Sequence, residues 1–305
     1  MTQVWLKCPE MDHEEWLQWR RNGVGASDAP AIMGVSPWTT RYQKWEEKVF
    51  PKEEWGGNAA MERGKVLEDP ARKEFERLMG VSVPPVNVEN KRDAWLRASL
   101  DGLDALGKVM VEIKCPNSQD HSVALSNRVP DKYYPQCQHQ LAVTGLPGMY
   151  YFSFDGEKGT IVEVARDDLY IRDELFPKEK EFWNCVVWKE PPPFTDRDYC
   201  NMEENAAWLE VSRKWKEAKK VLKDVENVEK LQRDALIALS KDRNAKGAGV
   251  SLSKSIVQGR IDYVEAFEEY LANMKAHYPD VVFPPLILDP YRKDPWVKWT
   301  LRDMD

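Results

Sequence analysis

The chain has 305 residues, 44 Lys and Arg against 51 Asp and Glu, a formal net charge of −7 and 42% hydrophobic residues. That is enough apolar material for one sizeable core plus an appendage, and it excludes a disordered or collagen-like chain. No run of about 18 uncharged apolar residues exists, so no membrane-spanning helix is expected, and the acidic, broken N-terminus does not read as a signal peptide. Cys8, Cys115, Cys137, Cys185 and Cys200 never form a CxxC pair. They suit reduced thiols of a cytoplasmic protein and offer no zinc or iron–sulfur spacing.

In chain order, residues 1–58 read as helical and aromatic, interrupted by the turn-rich GVGASDAPAIMGVSPW. Residues 59–80 carry the apolar stripe Val66, Ala71, Phe75, Leu78 and end at Gly80, as a helix with a glycine C-cap does. Pro70 implies that this helix either starts near Leu67 or kinks. The period then changes. Residues 81–114 read as a meander of short strands, VSVPPVNVEN, WLRASLDGL and VMVEIKC. Residues 131–145 return to a helix closed by Gly145, MYYFSFD and GTIVEVARD form a hairpin, and 167–190 make a further helix. Helices flanking a mixed sheet give an α/β core.

The PPPF stretch at 191–194 marks a boundary, with a core at 1–195 and an extension at 196–305. Residues 201–246 contain no Gly or Pro, and Trp208, Val211, Trp215, Ala218, Leu222 and Val225 recur three and four apart until the register slips near Asn227. Two readings stand: an amphipathic helix or helical hairpin packed on its own protein, or a contact between subunits. GAGVSLSKSIVQGRIDY reads as a β-hairpin, VEAFEEYLANMKAHY as a short helix, and the Pro-rich tail as extended. Residues 211–260 hold 13 Lys and Arg against 6 Asp and Glu, a local +7 on an acidic chain. Such a segment serves as a solvated face or as a means of steering a polyanion.

The chemistry concentrates at Asp101-Gly102 and Val111-Glu112-Ile113-Lys114. Alternation puts Glu112 and Lys114 on one strand face, and a hairpin would bring Asp101 beside Glu112. Two carboxylates at one point repel unless a cation neutralises them. Hard oxygen donors suit Mg²⁺ or Mn²⁺ rather than zinc, and an adjacent Lys can orient the attacking water of a phosphodiester hydrolysis. The D-x₁₀-E-x-K spacing is weak alone, but its flanks are informative: RRNGVGASD at 20–28, RGKVLE at 63–68 and YYPQCQHQL at 133–141.

Across about residues 14–165, these motifs in this order resemble the YqaJ-type viral recombinase family, the phage alkaline exonuclease group that includes the lambda exonuclease, within the PD-(D/E)xK nuclease superfamily. The resemblance implies a restriction-endonuclease-like α/β core with a helical plus small β C-terminal extension. Asp101, Glu112, the carbonyl of Ile113 and Glu68 would hold Mg²⁺, as two ions, with Mn²⁺ as a substitute. Lys114 would position the water, and Gln138 would contact that lysine or the scissile phosphate. Arg20 and Ser27 would bind a 5′-phosphate, with Arg21 competing for the arginine role. Leu100 replaces the family's usual proline before the aspartate, a change in backbone stiffness rather than chemistry.

The implied activity is 5′-to-3′ degradation of linear double-stranded DNA to 5′-mononucleotides, leaving 3′ overhangs for strand annealing. The implied partners are DNA ends, two further copies in a homotrimer and a phage single-strand annealing protein in the bacterial host cytoplasm. The alternatives are an endonuclease or RecB-like nuclease with another end preference, and a non-catalytic DNA-binding recombination protein. Each site residue also has a plainer reading: Glu68 as a first-turn carboxylate, Ser27 as an N-cap, Gln138 as a polar helix face, and the arginines as surface charge.

Overall fold

The computed structural model describes residues 3–51, 59–255 and 263–277. Its internal contacts divide the chain into two units, Met1–Cys200 and Asn201–Asp305. In the first unit the order is β1 (Trp5–Lys7), α1 (His13–Arg21), β2 (Val24–Gly25), α2 (Ala29–Ile32), α3 (Arg41–Val49), α4 (Ala59–Met79), β3 (Val86–Asn90), β4 (Leu96–Leu100), β5 (Gly102–Leu103) and β6 (Met110–Lys114). There follow α5 (Ser118–Leu125), α6 (Tyr134–Thr144), β7 (Gly148–Phe154), β8 (Gly159–Ala165), α7 (Asp168–Tyr170), a π-helical turn at Ile171–Leu175 and α8 (Phe176–Trp188).

The strands form two mixed four-stranded sheets, β1-β3-β4-β2 and β5-β6-β7-β8. The expected meander is therefore split: β3 and β4 pair antiparallel in one sheet, and the chain passes at Asp101 into β5 of the other. Gly102 makes that passage possible, because a Cβ there would stand 2.8 Å from the carbonyl of Val83 and from Val111. β6 pairs parallel with β7, and β7 antiparallel with β8 as the hairpin reading expects.

Alternation along β6 assigns its faces. Met110 joins Cys137, Leu141 and Tyr151 in the core beneath α6, whereas Val111 and Ile113 pack with Ala71 and Phe75 of α4. The second sheet is thus covered on both faces, and its strands are correspondingly apolar. α6 ends as expected at Gly145, whose φ of +70° suits glycine. α4 does not start near Leu67. It runs unbroken through Pro70 from Ala59, so Glu68 lies in mid-helix rather than in the first turn. The Trp-rich N-terminus is only partly helical, since β1 pairs with β3 at the edge of the first sheet.

In the second unit, α9 (Ala206–Ser240) is one 35-residue helix capped by the Asn205 side chain, not a hairpin of helices, and none of its residues is buried. β9 (Ala245–Gly247) and β10 (Val250–Leu252) form a short hairpin at the start of the expected 247–263 segment, of which residues 256–262 lie outside the described residues, and α10 (Tyr263–His277) follows. The expected extended tail lies outside the described residues. Among the described residues no helix is long and apolar enough to cross a membrane.

Candidate active site

Asp101, Glu112 and Lys114 meet at the β5–β6 hairpin. Pairing of Gly102 with Val111 sets Asp101 across from Glu112. The Ile113 N–H donates to Asp101 Oδ2 at 2.8 Å, and Lys114 Nζ donates to Glu112 Oε1. Burial, and then the charge of Glu112, push the Asp101 carboxyl up to about 8, against the opposing pull of Lys114 and the Ile113 N–H. Burial would lower the Lys114 ammonium, but Glu112 and Asp101 outweigh it and hold the group above its usual value. The lysine is therefore a fixed cation here, stacked 5.5 Å over the Tyr133 ring.

α4 supplies a second wall. Arg72 donates through Nε to the Asp101 carbonyl at 2.8 Å and pairs with Glu68 at 2.6 Å. Glu68 is close enough to contribute to the raised Asp101 carboxyl. Sequence gives no reason to single out Arg72, although its i,i+4 spacing from Glu68 is the signal that finds it.

α6 corrects one expectation. Gln138 does not face this cluster: it donates to the Ala165 carbonyl at 2.9 Å and accepts the Asp167 N–H at 2.9 Å. Its neighbours do. Gln136 donates to Glu112 Oε1 at 2.6 Å, and Gln140 donates to Oε2. Residues four apart share a helix face and the one between them points away, so the two outer glutamines hold Glu112 and the middle one anchors α6 to the end of β8.

The N-terminal motif forms a second cluster. Arg20 Nη2 donates to Ser27 Oγ at 2.8 Å and lies over the Trp16 ring at 5.2 Å. It is Arg20, not Arg21, that reaches Ser27, while both border a concavity with Asp28, Lys44 and Lys48. Ser27 lies inside a 3₁₀ turn and caps no helix. Beneath it, Asp28 pairs with Lys48 at 2.7 Å and accepts the Gly25 N–H. Burial alone would raise the Asp28 carboxyl, but Lys48, Lys44 and Arg20 hold it well below the carboxylate range. His139, buried and paired with Glu179 at 2.6 Å, belongs to the core rather than to either cluster.

Among the described residues, no three His, Cys, Asp or Glu side chains converge into a metal cage. A Mg²⁺ ion needs less than that, because it is commonly held by one or two carboxylates with water and substrate oxygens. Asp101 and Glu112 fit that donor set.

These features define a mixed α/β fold of the PD-(D/E)xK type. Residues 15–147 match the model of the YqaJ-like viral recombinase domain. The uncharacterized protein YqaJ of Bacillus subtilis (strain 168) is 33% identical over 202 residues, covering 64% of this chain and 63% of that protein. The chain thus spans less than two thirds of the length of that relative. The crystal structure of an alkaline exonuclease from Laribacter hongkongensis, LHK-Exo, superposes with a TM-score of 0.50 at 28% identity, over 58% of this chain and 94% of the other. Its complex with dAMP gives 0.51 at 27% identity, with the same shares of the two chains covered.

Proposed function

We propose that the protein is a Mg²⁺-dependent exodeoxyribonuclease that degrades one strand of linear duplex DNA from a 5′-phosphorylated end. It releases 5′-mononucleotides and leaves 3′ overhangs for recombination by strand annealing. The observation that carries this reading is the convergence of Asp101, Glu112 and Lys114 at one hairpin, in a fold similar to that of an alkaline exonuclease. Two facing carboxylates, Glu112 buried and Asp101 partly buried, are unfavourable without a cation, so their juxtaposition is an invitation to one.

In this reading Asp101 and Glu112 hold Mg²⁺ (Mn²⁺ serving in its place), with the Ile113 carbonyl as a further donor and Glu68 nearest a second ion. A bound divalent cation supplies Lewis-acid polarisation of the phosphodiester and a more acidic attacking water. Lys114, kept protonated, orients that water and offsets charge on the phosphate. Gln136 and Gln140 fix the rotamer of Glu112, as partners behind a metal ligand do. Arg20 and Ser27, beside the buried Asp28–Lys48 pair, hold the 5′-phosphate, with Arg21 bordering the same concavity. A homotrimer around DNA and a phage annealing protein as partner belong to this reading.

Digestion of end-labelled linear duplex with Mg²⁺ and with EDTA tests it. Mononucleotide release from 5′-phosphorylated ends, abolished by EDTA and absent on closed circles, is expected. Cutting of circles, or indifference to the 5′ group, favours an endonuclease or RecB-like enzyme instead.

A further inference from the structure

The long helix of the second unit is unusual in what it leaves uncovered. Trp208, Val211, Leu222, Val225, Leu236 and Leu239 of α9 are all between 44% and 78% exposed. They are not scattered. With Trp215 and Ala218 they occupy the a and d positions of heptads, an apolar seam that breaks after Val225, where Glu229 and Gln232 take the next two places, and resumes in the same frame at Leu236 and Leu239. A seam of this kind, about 50 Å long at 1.5 Å per residue, is a helix-pairing surface rather than a solvated one.

Charge selects the occupant. The half from Ala206 to Lys223 carries Arg213, Lys214, Lys216, Lys219, Lys220 and Lys223 against Glu210 and Glu217. The half from Asp224 to Ser240 carries Lys230 and Arg233 against Asp224, Glu226, Glu229 and Asp234. One end of the helix is therefore positive and the other negative, so the helix complements a reversed copy of itself. The sequence pattern agrees. A two-fold axis between Lys223 and Asp224 sets each seam residue against another seam residue: Trp208 against Leu239, Val211 against Leu236, and Leu222 against Val225. The two polar seam residues then meet Trp215 and the small Ala218, a placement that fixes register. On one flank Val221 meets Val228, both apolar and exposed. On the other, Lys219, which lies over the Trp215 ring at 4.9 Å, meets Glu226. Parallel pairing would instead set Lys214 against Lys219, two like charges.

We propose that α9 pairs antiparallel with α9 of a second copy of this chain, in an isologous contact that joins two molecules through their C-terminal units. The contact is independent of the nuclease reading. If the core itself forms a trimer, the same helix links one ring to another.

The test is the mass of the full chain in solution by light scattering, for the wild type and for Leu222→Glu combined with Val225→Glu. Both side chains are more than half exposed, so the change addresses the surface, and nuclease activity per chain serves as the check on the core. The expected result is a halving of mass. Charge reversal gives the second arm: Lys219→Glu and Glu226→Lys each weaken association severalfold, and the two together restore it. A mass unchanged by the Leu222–Val225 variant overturns the proposal. So does a double reversal no tighter than the single ones, as pairing with DNA or with another segment of the same chain would give.

Discussion

Replacing Asp28 with Asn removes one charge from a buried pair without changing the shape of the side chain. Lys48, 5% exposed, keeps its bonds to the Arg20 and Gly23 carbonyls but loses its counter-charge at 2.7 Å. Breaking one partner of a buried ion pair costs about 3–5 kcal/mol. We take about 3 kcal/mol, because the two carbonyls still solvate the ammonium, and for a unit of this size that is a fall in melting temperature of roughly 6–12 °C. The pH dependence has a fixed sign. The folded Asp28 carboxyl lies below its unfolded value, so its stabilisation is complete above about pH 4 and is lost as pH falls through the folded pKa. The deficit of Asp28→Asn is therefore full at pH 7 and shrinks below pH 4. Adding Lys48→Met recovers part of the loss at pH 7, because no unpaired charge is then buried. Calorimetry across pH 3–8 checks this. A variant as stable as the wild type at pH 7, or a deficit that grows on acidification, refutes the reasoning.

Other substitutions separate the site from its scaffold. Gln140→Leu and Gln136→Leu release the two oxygens of Glu112 and should each lower nuclease turnover by about 10–100-fold with little loss of fold. Gln138→Leu should do the reverse, costing about 1–3 kcal/mol in a denaturant titration through its lost bonds to the end of β8 while activity per folded molecule persists. Asp101→Asn removes one of two facing carboxylates, the partly buried one. The protein should melt higher in EDTA than the wild type, and Mg²⁺ should no longer raise its melting temperature in a thermal scan. Gly102→Ala forces a Cβ to 2.8 Å from the Val83 carbonyl and should cost about 1–3 kcal/mol by the same titration, carrying Asp101 out of place with it.

Much of the site is legible in the sequence because β6 obeys the strict two-residue period of a strand. Glu112 and Lys114 on one face and Val111 and Ile113 on the other follow from that period alone, and the D-G turn puts Asp101 opposite. α6 is harder to read. Three glutamines at 136, 138 and 140 carry the same chemistry, and which of them faces Glu112 is fixed by how Cys137 and Leu141 pack beneath β7, a long-range fact. Pro70 misleads for a related reason: burial of Ala71 and Phe75 holds α4 together through a residue that local propensity would place at a start. The Trp-rich N-terminus reads as helix because its aromatics are frequent. Trp5 to Lys7 becomes a strand only because β3 offers an edge. The split of the meander into two sheets depends on the same kind of distant contact.

Nuclease action requires three groups to meet at one point and act together on DNA. The most direct measurement compares wild-type protein with Lys114→Ala and Asp101→Ala on 5′-phosphorylated, end-labelled linear duplex in Mg²⁺. DNA retention is followed by filter binding and folding by calorimetry. Both variants are expected to fold and still bind the duplex while mononucleotide release falls below detection. Undiminished release from either folded variant contradicts this.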